Sequence, residues 1–175
     1  MKKIAPNELP QSVIDIIGKE WMLVSAGNES KFNTMTVSWG TIGFMFNMNV
    51  ATIVVRPERY TYEFIENESH FTLTILDPAK VKDGDTKQAL TICGRNSGRD
   101  MDKVAKAGLT PRFTADGNPT FEEARIVLEC RKVFGQMMSQ DSFVDKEIYD
   151  KWYDEAHGNL HKVFIGEIVN CWIKE

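Results

Sequence analysis

The sequence predicts a mainly β protein, an antiparallel barrel with peripheral helices, formed by a single domain over residues 1–175. Three observations carry this. Short runs rich in β-branched and aromatic residues recur along the chain, and the helical patterns between them are brief. Strand and helix patterns never alternate in the βαβ rhythm that builds a parallel sheet.

The elements follow in chain order. "WMLVSAG" (21–27) and "TMTVSWG" (34–40) read as a hairpin joined through the polar "NESKFN". "VATIVVR" (50–56) is a nearly continuous apolar run that stops at Pro57, as a buried strand would. Pro57 suits the first turn of the helix "PERYTYEFIENE", in which Tyr60 and Phe64, and Thr61 and Ile65, share faces. "HFTLTIL" (70–76) alternates, with Phe71, Leu73 and Ile75 on one side and Thr72, Thr74 and Leu76 on the other.

A short helix is predicted around "TKQALTIC", and a second from about Gly98 to Ala107, opened by a Ser97/Asp100 capping box and ended by Gly108 and Pro111. "ARIVLECRKVF" (124–134) is a long strand, "DKEIYDKWYDEA" a helix, and "HKVFIGEIVNCWIKE" the closing strand, with Gly166 at a bulge or bend.

Bulk properties exclude several classes. A hydrophobic share of 42% and a charged share of 26% are those of a globular chain. A net charge of −4 argues against a nucleic-acid binder, which needs a broad basic face. Cys93, Cys130 and Cys171 lie far apart with no CxxC pair, so neither a disulfide framework nor a zinc site is indicated. No stretch approaches the length of a membrane span, and free thiols fit a reducing compartment; a cytoplasmic protein is expected. His157 and His161 are four apart, but Gly158 stands where an HExxH motif needs its glutamate, so no metal site is expected.

Three polar clusters stand out. "CGRNSGRDMDK" sets Arg95, Asn96, Ser97, Gly98 and Arg99 ahead of the second short helix, where free backbone N–H groups can receive an anion. On these residues alone it reads equally as a capped helix with solvated arginines. "RPERYT" gathers Arg56, Arg59, Tyr60 and Thr61 at a strand–helix junction, either around an anion or paired with Glu58 and Glu63. In "NTMTVSW", alternation sends Thr34, Thr36 and Ser38 to one face and Asn33, Met35, Val37 and Trp39 to the other; the hydroxyls face solvent or line a groove for a planar polar ligand. No GxGxxG, P-loop or GxSxG motif occurs.

Taken in order, "NTMTVSWG", "VVRPERYTYEFIENE", "HFTLTIL", "CGRNSGRDMDK", "FEEARIVLECRKVF" and "HKVFIGEI" resemble the flavin reductase-like proteins of the FMN-binding split-barrel superfamily, especially the flavoredoxin-like branch. The resemblance implies a Greek-key split β-barrel, a homodimer, and FMN near the subunit interface. It places Asn33, Thr34, Met35, Thr36, Ser38 and Trp39 beside the flavin ring, and Arg56, Arg59, Tyr60 and Thr61 at its phosphate and ribityl chain. Arg95, Asn96, Ser97, Gly98, Arg99 and Lys103 fall in a second FMN-contacting loop, and His161 matches a histidine near the cofactor. "FMFNMNV" departs from relatives that carry a tryptophan there, which bears on the substrate side.

The activity so implied is oxidoreduction: hydride from NADH or NADPH to flavin, then electrons to an acceptor, with no catalytic side chain required. A flavoredoxin-like carrier reduced by a protein partner, and a non-redox barrel for a phosphate ligand such as pyridoxal phosphate, are the alternatives.

Overall fold

The computed structural model describes residues 1–154 and 158–175. Its main sheet runs β3-β2-β6-β9-β10-β5-β4 and is antiparallel throughout. The strands are β1 (Lys2–Ile4), β2 (Met22–Gly27), β3 (Phe32–Val37), β4 (Gly40–Met45), β5 (Met48–Val55), β6 (His70–Leu76), β9 (Ala124–Met137) and β10 (Lys162–Ile173). β1 pairs with β10, and β7 (Pro111–Phe113) with β8 (Pro119–Phe121) forms a separate hairpin. The mainly β fold with peripheral helices is the class expected from the sequence.

The edges of the sheet are β3 and β4, which follow one another in the chain with only Ser38 and Trp39 between them. The sheet therefore curls until its edges meet at that link, yet no ladder joins them. The barrel is split.

β5, β6, β9 and β10 form because their alternate residues fill the barrel: Ile53, Val55, Phe71, Leu73, Ile126, Leu128, Phe164 and Ile168 are all buried in one cluster. The outer threonines of β6 face protein: Thr72 Oγ1 donates to Pro119 O, and Thr74 meets Thr120 at 3.0 Å. A second cluster, with Leu23, Leu90, Cys93, Leu109 and Phe121, seats the helices α3 (Thr86–Arg95) and α4 (Lys103–Lys106) against the outside of β2. Gly166 lies at a register shift between β10 and β9, as expected; a Cβ there would come 2.7 Å from Cys130 Cβ and 2.8 Å from Phe71 Cζ.

Several expectations need correction. "TMTVSWG" is not one strand: β3 ends at Val37 and Gly40 opens β4, an edge strand the sequence reading missed. The predicted helix at Pro57 begins instead at Tyr60 (α2, Tyr60–Asn67), because residues 57–59 form a turn in which Arg59 N donates to Arg56 O at 3.1 Å. α5 (Lys146–Trp152) is shorter than predicted, and the end of that expectation, with His157, lies outside the described residues. β1, β7, β8 and a short helix α1 (Val13–Asp15), continuing as a π-helical turn over Ile16–Glu20, were not foreseen.

The helix expected over Gly98–Ala107 shrinks to α4. Ser97 and Asp100 make no capping box: Ser97 Oγ accepts from Arg99 N at 3.1 Å, and the cap of α4 is Asp102, whose carboxylate accepts from Ala105 N at 3.0 Å. Asp102 thus satisfies one of the free N–H donors in the first turn of α4, and the helix starts after it.

Candidate functional site

The split edge, the β5–α2 junction, the end of α3 and the chain leading into β10 converge on a pair of adjoining clefts. The first, about 260 Å³, is lined by Met35, Thr36, Val37, Ser38, Trp39, Val54, Arg56, Arg59, Trp152 and His161. The second, about 380 Å³, is lined by Glu58, Arg59, Tyr60, Thr61, Gly94, Arg95, Asn96, Ser97, Arg99, Asp100 and Lys103. Arg59 belongs to both.

The first cleft is aromatic. The Trp39 and Trp152 rings meet edge to face at 5.0 Å, and Trp39 lies 5.4 Å from the His161 ring. Arg56 closes the back: its Nε donates to His161 Nε2 at 3.3 Å, its Nη2 donates to Trp152 O at 3.2 Å, and its guanidinium lies 5.6 Å from the Tyr153 ring centre. Because His161 Nε2 accepts, the ring proton sits on Nδ1, which donates to Tyr153 Oη at 2.9 Å. Burial, helped by the Arg56 charge, lowers His161 from 6.5 to about 4, so the imidazole is neutral at pH 7.

The second cleft is polar and basic, and it stands at the C-terminal end of α3. The last carbonyls of a helix lack intrahelical partners and carry the negative end of its dipole. Here they are met by cations: Lys103 Nζ donates to Cys93 O and Asn96 O at 3.1 Å each, and Arg59 Nη2 donates to Gly94 O. Lys103 is only 3% exposed, and its burial brings it from 10.5 down to about 8. Burial also raises the Cys93 thiol to about 11, which makes it a poor nucleophile. Arg99 pairs with Glu63 and lies 4.5 Å from the Tyr60 ring centre. Arg95 is exposed and makes no hydrogen bond or ion pair among the described residues.

Residues 16–175 match the family model described as "Flavin reductase like domain". The chain belongs to that family. No curated protein matches it.

Solved structures share the fold of this flavin reductase-like chain. An FMN-binding domain of a flavin reductases-like enzyme from Shewanella baltica OS155 superposes with a TM-score of 0.67 at 18% identity, covering 98% of this chain and 76% of that one. Flavoredoxin of Desulfovibrio vulgaris (Miyazaki F) gives 0.64 at 22%, over 100% and 78%. An NADH:FAD oxidoreductase from Streptomyces globisporus, solved with NAD and FAD fragments, gives 0.60 at 15%, over 89% and 74%.

In this flavin reductase-like chain most of the expected site residues do come together. Met35, Thr36, Ser38, Trp39, Arg56, Arg59 and His161 line the aromatic cleft, and Arg59, Tyr60, Thr61, Arg95, Asn96, Ser97, Arg99 and Lys103 the basic one.

Three residues lie elsewhere. Thr34 is buried inside the sheet, where its hydroxyl donates to Val24 O at 3.0 Å and accepts from Ser25 at 2.9 Å, so of the row of hydroxyls only Thr36 and Ser38 reach the cleft. Asn33 is also buried, and its Nδ2 donates to Thr61 Oγ1 at 2.8 Å behind the cleft. Gly98 backs onto it: a Cβ there would stand 2.2 Å from Asn33 Oδ1, so this glycine permits a close approach and does not open an anion-binding helix. Thr36 keeps one edge in the cleft while its Oγ1 donates to Leu90 O at 2.6 Å, tying β3 to α3.

Trp152 and Tyr153 were missed. The available signal was a run of aromatics on a charged helix, Tyr149, Trp152 and Tyr153, spaced to share one face.

Proposed function

We propose that the chain is an FMN-binding oxidoreductase of the flavin reductase type, which takes hydride from NADH or NADPH and passes electrons to a second acceptor. The observation that carries this is the joining of an aromatic cleft to a basic one through Arg59. A ring system linked to a phosphate by a short polyol has that distribution of chemistry. When bound, the flavin supplies the hydride-accepting ring.

The residues supply binding and orientation. Met35, Val37, Trp39 and Val54 give the ring an apolar wall, and Ser38 a polar group at its edge. Arg59 stands between the clefts, where the ribityl chain would pass, and Thr61 lines the basic one. Arg95, Arg99 and the Ser97 hydroxyl suit the phosphate, with Arg95 the cation least committed elsewhere. Lys103 is held at the helix end and sets the loop's shape from behind.

The homodimer belongs to the same reading. Phe44, Met45 and Phe46 at the β4–β5 turn, with Phe134 on β9, expose more apolar surface than solvent alone favours, and a second copy would cover it. A cytoplasmic setting, with its three buried free thiols kept reduced, completes it.

The test is direct. Protein titrated with FMN is expected to bind it, and the yellow complex to bleach anaerobically on addition of NADH or NADPH alone. A complex bleached by neither nicotinamide points to a carrier reduced by a protein partner. Protein that takes up no FMN overturns the flavin reading and leaves the other phosphate ligands, pyridoxal phosphate included. Light scattering on a sizing column tests the dimer.

A further inference from the structure

Between β9 and β10 the chain leaves the sheet at Met138 and returns at His161, and the neck is closed by Met138 N donating to His161 O at 2.9 Å. The excursion carries α5, whose Ile148 is 49% exposed, and just before it Val144, which is fully exposed at 101%. Contacts that hold it to the barrel cluster near Trp152 and Tyr153, with the Trp152 carbonyl on Arg56, the Tyr153 hydroxyl on His161 and the Trp152 ring on Trp39, and Asn159 Nδ2 adds a bond to Glu58 Oε2 at 3.3 Å.

Trp39 and Trp152 are each 38% exposed, so the pair forms the rim between the aromatic cleft and solvent. With both in place the cleft holds about 260 Å³, below the roughly 300–1,000 Å³ usual for ligand sites. One flat ring fills such a space, and a second reactant must come in past the rim. Trp39 is fixed by the strands on either side of it. The Trp152 ring meets Trp39 edge to face, while the bond that ties this residue to Arg56 is made by its carbonyl, so the side chain can be exchanged without removing that main-chain anchor.

We propose that Trp152 is a specificity-determining residue of the aromatic cleft, bounding its open side so that the second reactant is selected by its width. This rests on the FMN reading. Compact single-ring oxidants or reductants pass the rim, and wide fused-ring ones are held back.

The experiment uses FMN-loaded protein, with FMN binding measured first for the wild type, Trp152→Ala and Trp152→Phe. The bound flavin is reduced with dithionite, excess reductant is removed, and it is reoxidised by benzoquinone, a naphthoquinone sulfonate or an anthraquinone sulfonate. Two electrons pass from reduced flavin to quinone, with protons from the flavin and water, giving hydroquinone and oxidised flavin. Taking the ratio of variant to wild-type rate for each quinone cancels differences in quinone potential. That ratio is expected to rise at least 10-fold from the narrowest to the widest quinone for Trp152→Ala, and by less for Trp152→Phe. The bimolecular constant for acrylamide quenching of flavin fluorescence is expected to rise at least threefold in Trp152→Ala. A ratio that stays flat across the series, or a quenching constant that does not move, overturns the proposal even if FMN is bound. Failure to bind FMN at the first step overturns the parent reading with it. If Trp152→Ala does not fold, the Phe variant decides by the same ratio.

Discussion

Arg56 Nε donates to His161 Nε2 across 3.3 Å, joining the end of β5 to the residue that precedes β10. The bond needs a neutral imidazole, and the surroundings of His161 supply one.

The pH dependence follows with a definite sign. His161 takes a proton near 4 in the folded protein and near 6.5 when unfolded, so between those values the unfolded chain binds more protons and stability falls as the pH falls. Urea midpoints at pH 7, 5.5 and 4.5 are expected to drop more steeply for the wild type than for His161→Gln. Equal slopes would mean that His161 titrates normally.

Lys103 acts in the alkaline range. It gives up its proton near 8 when folded and near 10.5 when unfolded, so wild-type stability gains a rising contribution between those values. Lys103→Met removes that rise. It also leaves Cys93 O and Asn96 O without their donor, at a cost of about 1–3 kcal/mol at pH 7. Denaturant titrations of both proteins from pH 7 to 10 check both parts.

Arg95 and Arg99 are neighbours in sequence with different commitments. Arg99 is already shared with Glu63 and the Tyr60 ring, whereas Arg95 has no such partner among the described residues. Arg95→Ala is therefore expected to weaken FMN binding by about 1.5–3 kcal/mol, and Arg99→Ala by less. Calorimetric titration of FMN into each variant measures the order; the reverse order would place the phosphate nearer α2.

Gly98→Ala tests the packing behind the basic cleft. The added methyl would collide with Asn33 Oδ1, at a cost of about 1–3 kcal/mol read from the denaturation midpoint. Shortening the obstructing side chain, in Gly98→Ala with Asn33→Ser, is expected to recover part of the loss. No recovery would locate the strain in the backbone.

What was legible in the sequence depended on how local its cause was. β6 and β9 announced themselves because each alternation is complete within one strand, and α2 because Thr61 and Ile65 share its buried face. β4 did not: "GTIGFM" has two glycines and a mostly exposed edge, so neither burial nor propensity marks it. The site shows the same division. Arg56, Arg59 and Ser97 were readable as clusters along the chain, but Thr34 and Asn33 follow strand and helix contacts that only the folded sheet creates. Lys103 looked like a ligand-binding cation because a sequence does not show that the end of α3 would claim it.

The two-residue link from β3 to β4 spans the split where hydrogen bonds do not. It works as a hasp: the groove's width at that corner is set by the length of covalent chain between Val37 and Gly40. Lengthening this piece would let the barrel gape without breaking a rung of its ladder, so the size of the aromatic cleft can change in evolution almost independently of the sheet that carries it.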